Sequence, residues 1–426
     1  MLLVLMAPAL WNGFPIVFPD TGGYLMRPIE GTLGMGRSAL YGWFLYAGLH
    51  LAFWPVIVAQ AAVTAWIIAL TLRCHDLGGR PWLALGVTVA LSMVTSLAWV
   101  ATQLIPDILF PLAVLALHLL MFRLHALKPL ERLALVALIA VAIACHMAAL
   151  ALCIGLIAAL WLISLVKPFA LPRPRLGLAA GAAGAGIALC LFSNLAITGN
   201  FAFTPGGISF LFGRLVEDGI VRRYAYESCP DPSLRLCAYA NNIPDTADDW
   251  LWKNDTAFYK LGGWQGFSPE ATRIILDSIK RYPLSHLTTA INDIYRQFTG
   301  FQTEVSIDDN EPAYNGIRDY APELMPQLNR ARQQAERFDI APFNRIHVPA
   351  GALAIAGVVA VLLMQRWLML SAKVRVLCVG VLFALVINAT ICAVFSHAVD
   401  RYQSRMVPLA FFALAIAVCG LRRHPP

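Results

Sequence analysis

The sequence predicts an all-α polytopic membrane protein, with about ten transmembrane helices and a small α-helical extracytoplasmic domain. Three observations carry that reading. Apolar residues make up 59% of the chain against 13% charged, and the mean hydropathy is +0.66. The apolar residues gather in runs near 1–18, 53–72, 82–104, 108–122, 133–145, 148–166, 176–197, 347–365, 374–396 and 405–421. Lys and Arg concentrate in every second connector: "LRCHDLGGRP", "FRLHALKPLER", "VKPFALPRPR", "QRWLMLSAKVR" and the tail "LRRHPP".

Runs of about 20 apolar residues suit a bilayer, and cytoplasmic connectors are the basic ones. The alternation therefore puts both termini in the cytoplasm and the other connectors outside. The net charge of +7 sits in those short loops, which argues against nucleic acid as a partner.

The first run has no basic flank and no small-residue cleavage site, so it does not read as a signal peptide. A start placed too late, or a short first helix, accounts for it better. The stretch 133–166 is long for one helix and short for two. It reads either as a tilted helix or as a tight hairpin turning near His146.

Domain organisation follows. Residues 1–197 hold about seven transmembrane helices, 198–346 form the extracytoplasmic block, and 347–426 hold about three more. A block of that length is too long for an idle loop. Its signals are helical: Ser268, Pro269 and Glu270 read as N-cap, N1 and first-turn acid of a helix that Pro283 stops. "LSHLTTAINDIYRQF", "APELMPQLNRARQQAERF" and "FLFGRLVEDGIVRRYAY" read as further helices.

Nine cysteines show no CxxC pair and no zinc spacing. Seven lie in or beside apolar runs, where a small packing role is the default. Cys229 and Cys237 stand alone in the polar block, and a disulfide between them is expected if that block faces an oxidising compartment.

The ionisable residues that matter gather at one predicted face. Asp20 follows the first run in "NGFPIVFPDTGGYL", Asp107 stands in "QLIPDILFPL", His146 in "ACHMAAL", and Asp400, Arg401, Tyr402 and Arg405 in "SHAVDRYQSRMVP". Acids at membrane depth are costly and tend to mark pathways or catalytic sites. A carboxylate, alone or with a divalent metal such as Mg or Mn, can activate a hydroxyl, while arginine's planar fork suits a phosphate. Each residue also has a bland reading. "PDTGG" is good turn chemistry, Asp107 after Pro106 reads as an N-cap, and His146 as a packing residue. Arg401 can snorkel to headgroups, and Arg405 and Arg27 are weaker candidates. "YGWFLYAGLHLAFW" reads as an interfacial belt or a helix on the membrane surface.

A multi-spanning chain with an acid in the first external loop, a second acid in the next and a late Arg-Tyr motif resembles the GT-C superfamily of integral-membrane glycosyltransferases. "FPDTGGYL" is similar to the first-loop acidic motif, "IPD" to the second acidic site and "DRYQSRMVP" to the lipid-phosphate-binding region. "GRLVEDGIVRRYAYESCPDPSLRLCAY" also resembles a group of proteobacterial multi-pass proteins. The resemblance implies a bacterial inner-membrane enzyme that takes a sugar from a polyprenyl-(di)phosphate donor to a glycan, lipid or protein acceptor. Asp20 and Asp107 would be its catalytic or metal-binding acids and Arg401 its phosphate ligand. Arg405 is a second candidate for the phosphate, and Tyr24, Arg27, His146 and Tyr402 are candidate substrate contacts. The pattern departs in having one acid where some members have a pair, with Glu30 the only second candidate nearby. A transporter or flippase of lipid-linked or anionic solutes, and a non-catalytic assembly factor, are the rival expectations.

Overall fold

The computed structural model describes residues 1–166, 171–304, 311–335 and 338–421. Parts of two predicted basic segments, 167–170 and 422–426, lie outside the described residues. Every regular element among the described residues is helical, and an isolated bridge pairs Ile16 with Gln103 in parallel. The chain divides into two compact units. One comprises Met1–Thr204, Phe301–Asn388 and Gln403–Pro426, the other Pro205–Gly300 and Ala389–Tyr402. Residues 301–346, expected with the polar block, group with the first unit.

Six helices of the described residues are long and apolar enough to cross a membrane: Trp54–Cys74, Met147–Ser164, Leu176–Thr198, Ala341–Leu363, Ala372–Phe395 and Asp400–Leu421. Pro81–Val94 and Pro106–Phe122 are apolar but shorter. The stretch 133–166 is two helices, Pro129–Cys145 and Met147–Ser164, with His146 in extended conformation between them. The imidazole Nδ1 accepts from the Ala148 amide at 3.2 Å, capping the second helix.

Two apolar runs are broken where hydropathy shows no break. The first stops at Asn12 with Gly13 left-handed, and residues 14–18 run extended before a helix begins at Pro19. The run 82–104 splits at Thr95 and Ser96 into Pro81–Val94 and Leu97–Thr102, then leaves the helix at Gln103. Non-helical backbone at membrane depth is tolerated only where protein satisfies it. Here the two extended pieces satisfy each other: Ile16 N donates to Thr102 O at 3.1 Å and Leu104 N to Ile16 O at 2.9 Å. On the other side Gln333 clamps Val17, accepting from its amide at 3.1 Å and donating to its carbonyl at 2.8 Å.

The second unit packs around Trp250, Phe212, Phe258 and Phe267. The helix after Phe267 runs Ser268–Arg281, so Ser268 is its first residue and not its N-cap, and Pro283 opens the next helix, Pro283–Thr299. "FLFGRLVEDGIVRRYAY" forms two helices, Gly207–Glu217 and Ile220–Ser228, because Gly219 turns left-handed. "APELMPQLNRARQQAERF" does not form one helix. Its described part holds only short turns, Pro322–Leu324, Met325–Leu328 and Arg332–Ala335, as Pro322 and Pro326 restart the backbone. Cys229 and Cys237 are joined, with Cα atoms 5.5 Å apart.

Candidate functional site

The parallel bridge aligns two identical pieces of local chemistry. Three residues after Ile16 comes Pro19, and three after Gln103 comes Pro106; each proline opens a helical turn and is followed by aspartate. Proline suits that position because its missing N–H has no helical partner there, and an acid in the first turn answers the helix dipole. Thr21 links the two turns: its hydroxyl accepts from Phe18 N at 2.9 Å and donates to Leu104 O at 3.2 Å. Asp20 and Asp107 thus stand at equivalent places on two adjacent helix starts.

Their surroundings differ. Asp107 is 3% exposed and faces Arg405, 1% exposed, at 3.0 Å. Arg405 also lies 3.5 Å over the Phe110 ring and donates to Asn388 at 3.4 Å. Asn388 donates to Gln403 at 3.0 Å, and the Phe110 ring meets His146 edge-on at 5.1 Å. This is a dehydrated ion pair inside a polar network. The guanidinium expected to hold a donor phosphate is therefore engaged with the second carboxylate.

Asp20 is the accessible member, 21% exposed, and pairs with Arg37, 18% exposed. Arg37 lies across Gly23, where an added Cβ would come within 3.3 Å of its Cδ and Nε. "TGG" therefore sits inside a helix: Gly23 makes room for Arg37, while a Cβ on Gly316 would strike the Gly22 backbone. Seven residues on from Asp20, two helical turns, Arg27 shares its face. Its Nε donates to Gly23 O at 2.9 Å and Nη1 to Thr32 at 2.9 Å. Burial lowers the Arg27 pKa, Glu30 opposes that, and the like charge of Arg37 adds to it. One helix face thus presents a carboxylate followed by two guanidinium groups.

The other predicted residues have partners of their own. Tyr24 is buried with its ring edge-on to Tyr41 at 5.1 Å, and Tyr41 donates to Gln60 at 2.9 Å. Gln60 in turn holds the Ala101 and Gln103 carbonyls, both at 3.0 Å, so Tyr24 belongs to the support of the broken helix. Arg401 and Tyr402 belong to the second unit, where the guanidinium lies 4.9 Å over the Tyr402 ring.

A divalent metal fits this donor set poorly. Among the described residues no group of three His, Cys, Asp or Glu side chains converges, and a cation at either aspartate would meet an arginine. Two apolar cavities, the larger about 220 Å³ and lined by Val359, Leu362, Arg375 and Leu382 among others, include none of the predicted site residues.

Sequence reasoning missed Arg37, Gln60 and Asn388. Each carried a signal: Arg37 is the one Lys or Arg between Pro28 and Leu72, and Gln60 and Asn388 are isolated amides in apolar spans. No protein-family model, no curated protein and no solved structure matches the chain.

Proposed function

We propose that the protein is a membrane glycosyltransferase that takes a sugar from a polyprenyl-(di)phosphate donor to an acceptor hydroxyl at the extracytoplasmic face. The observation carrying this reading is the Asp20–Gly23–Arg27 face with Arg37 laid across it. Asp20 takes the acceptor's proton, and the acceptor oxygen bonds to the anomeric carbon. The carbon–phosphate oxygen bond breaks, and its electron pair leaves with the phosphate. Arg37 and Arg27 oppose the charge that grows on the leaving phosphate. Asp107 and Arg405 act as positioning residues that hold the second helix start against the first. Arg401, expected at the phosphate, and Tyr402 lie in the second unit and carry no step of this reading. In this reading the ten apolar runs, several of them short or broken, form the membrane part. Both termini are cytoplasmic, the block with the Cys229–Cys237 disulfide is outside, and the membrane is a bacterial inner membrane.

The test is release of polyprenyl phosphate or diphosphate in proteoliposomes supplied with a panel of C55 polyprenyl-(di)phosphate hexoses together with glycan, lipid and peptide acceptors bearing free hydroxyls. Wild type should release it from at least one donor, and Asp20→Asn should lose release while keeping its fold. No release from any donor, or equal release by Asp20→Asn, would overturn the reading.

One observation favours a second reading, a transporter of anionic or lipid-linked solutes. Two broken apolar runs with paired extended segments are a device of secondary transporters. In that case labelled sugar crosses the vesicle wall with its phosphate bond intact.

A further inference from the structure

The helix Pro283–Thr299 carries an exposed apolar stripe. Asp293 and Gln297 turn inward and are buried, with Arg214 Nε 3.4 Å from Asp293, while Thr288, Asn292 and Arg296 are exposed. Four large apolar side chains turn outward, with Leu284, Leu287, Ile291 and Tyr295 between 55% and 74% exposed. The spacing, three then four then four residues, puts all four in one stripe along the helix. Leu276 and Ile279 of the preceding helix are exposed as well. An exposed apolar stripe of this length marks an interaction surface.

Two observations identify the occupant. Gln297, in the last turn, is tied to Val399 by two hydrogen bonds, donating to its carbonyl at 2.8 Å and accepting from its amide at 3.0 Å. Val399 comes four residues after Phe395, the end of the apolar span Ala372–Phe395. The helix is therefore tied to the connector that follows an apolar span. Charge is compatible: Arg296 is exposed at 3.7 Å from the inward Asp293, and the preceding helix ends in Lys280 and Arg281, the latter paired with Asp277 at 2.7 Å.

We propose that Pro283–Thr299 lies in the headgroup layer of the bilayer that the chain's own spans cross. Its stripe reaches the acyl boundary and its cations face anionic lipid. A helix of 17 residues covers about 25 Å of that surface, and interfacial helices bury such a face by about 5–10 Å. The inference does not depend on the transferase reading.

The test places a nitroxide on Leu287→Cys or Ile291→Cys of the full chain in nanodiscs of phosphatidylcholine and phosphatidylglycerol. Asp245→Cys, 85% exposed in an ion pair of the same unit, serves as the water-facing control. Both substituted leucine and isoleucine positions are surface positions, so the fold is spared, and the protein without added cysteine supplies the label background. The expected ratio of oxygen to nickel-chelate collision rates at 287 and 291 is about fivefold or more above that at 245, as for labels in acyl chains. A ratio equal to the control would overturn the proposal. So would a label shielded from both probes or broadened by a second label, since that places a protein partner or a second copy on the stripe.

Discussion

Replacing Arg405 with Met should be among the most damaging single changes in the protein. Arg405 and Asp107 sit 3.0 Å apart at 1% and 3% exposure, so deleting the cation leaves a carboxylate without its counter-charge in a dehydrated site. Removing one partner of a buried pair costs about 3–5 kcal/mol, whereas replacing both with apolar groups of similar volume is often neutral. Arg405 also covers Phe110 and reaches Asn388, which places the expected loss toward the upper part of that range. Asp107→Leu alone should cost about 3 kcal/mol or more, and the Asp107→Leu/Arg405→Met double should return to within about 1–2 kcal/mol of wild type. Thermal unfolding of the four proteins in one detergent, followed by tryptophan fluorescence, closes the cycle. Losses that simply add in the double variant would refute the pairing.

Further expectations are independent of that pair. Gly23→Ala should be nearly neutral, because the flexible Arg37 side chain can yield a few tenths of an ångström and Ala gains about 0.5–1 kcal/mol in a helix. Gly42→Ala should cost about 1–3 kcal/mol, because its Cβ would strike the Tyr24 carbonyl, as the melting temperatures of the two variants will show. In the second unit, burial raises the Asp218 pKa, with Arg214 opposing and Asp293 adding to the rise. A raised folded pKa means its contribution is full below the ordinary aspartate value near 4 and fades as pH climbs through the raised value. Asp218→Asn should therefore match wild type in acid and become relatively more stable as pH rises, a trend that pH-dependent melting would reveal or deny. Reducing Cys229–Cys237, which closes a loop with a sequence separation of 8, should cost the second unit about 2–3 kcal/mol. Comparing the melts of reduced and oxidised protein gives that value.

Much of the helical content was legible because apolar runs and prolines speak directly. Pro283 separated two helices, Pro106 stood at the start of another, and the two polar cysteines indicated their own bond. The breaks at Gly13 and Gln103 were not legible. An apolar run records what the chain dissolves in, not whether its hydrogen bonds are helical, and these breaks are held by Gln60 and Gln333 from distant parts of the chain. The two aspartates were singled out from their position, but their partners were not. Arg37 lies 17 residues from Asp20 and Arg405 lies 298 from Asp107, separations that no local pattern encodes. The "PDTGG" stretch misled for a related reason. Its glycines satisfy turn chemistry, yet here they thin a helix so that Arg37 and a neighbouring helix can approach.

Affinity for C55 polyprenyl phosphate, measured at equilibrium with the full chain in nanodiscs, bears most directly on the face formed by Asp20, Arg27 and Arg37. Asp20→Asn is expected to bind at least as tightly as wild type, and Arg27→Ala/Arg37→Ala at least about tenfold more weakly, the loss of two charge-assisted contacts. Equal affinity of the double arginine variant and wild type would contradict the assignment of this face to a lipid phosphate.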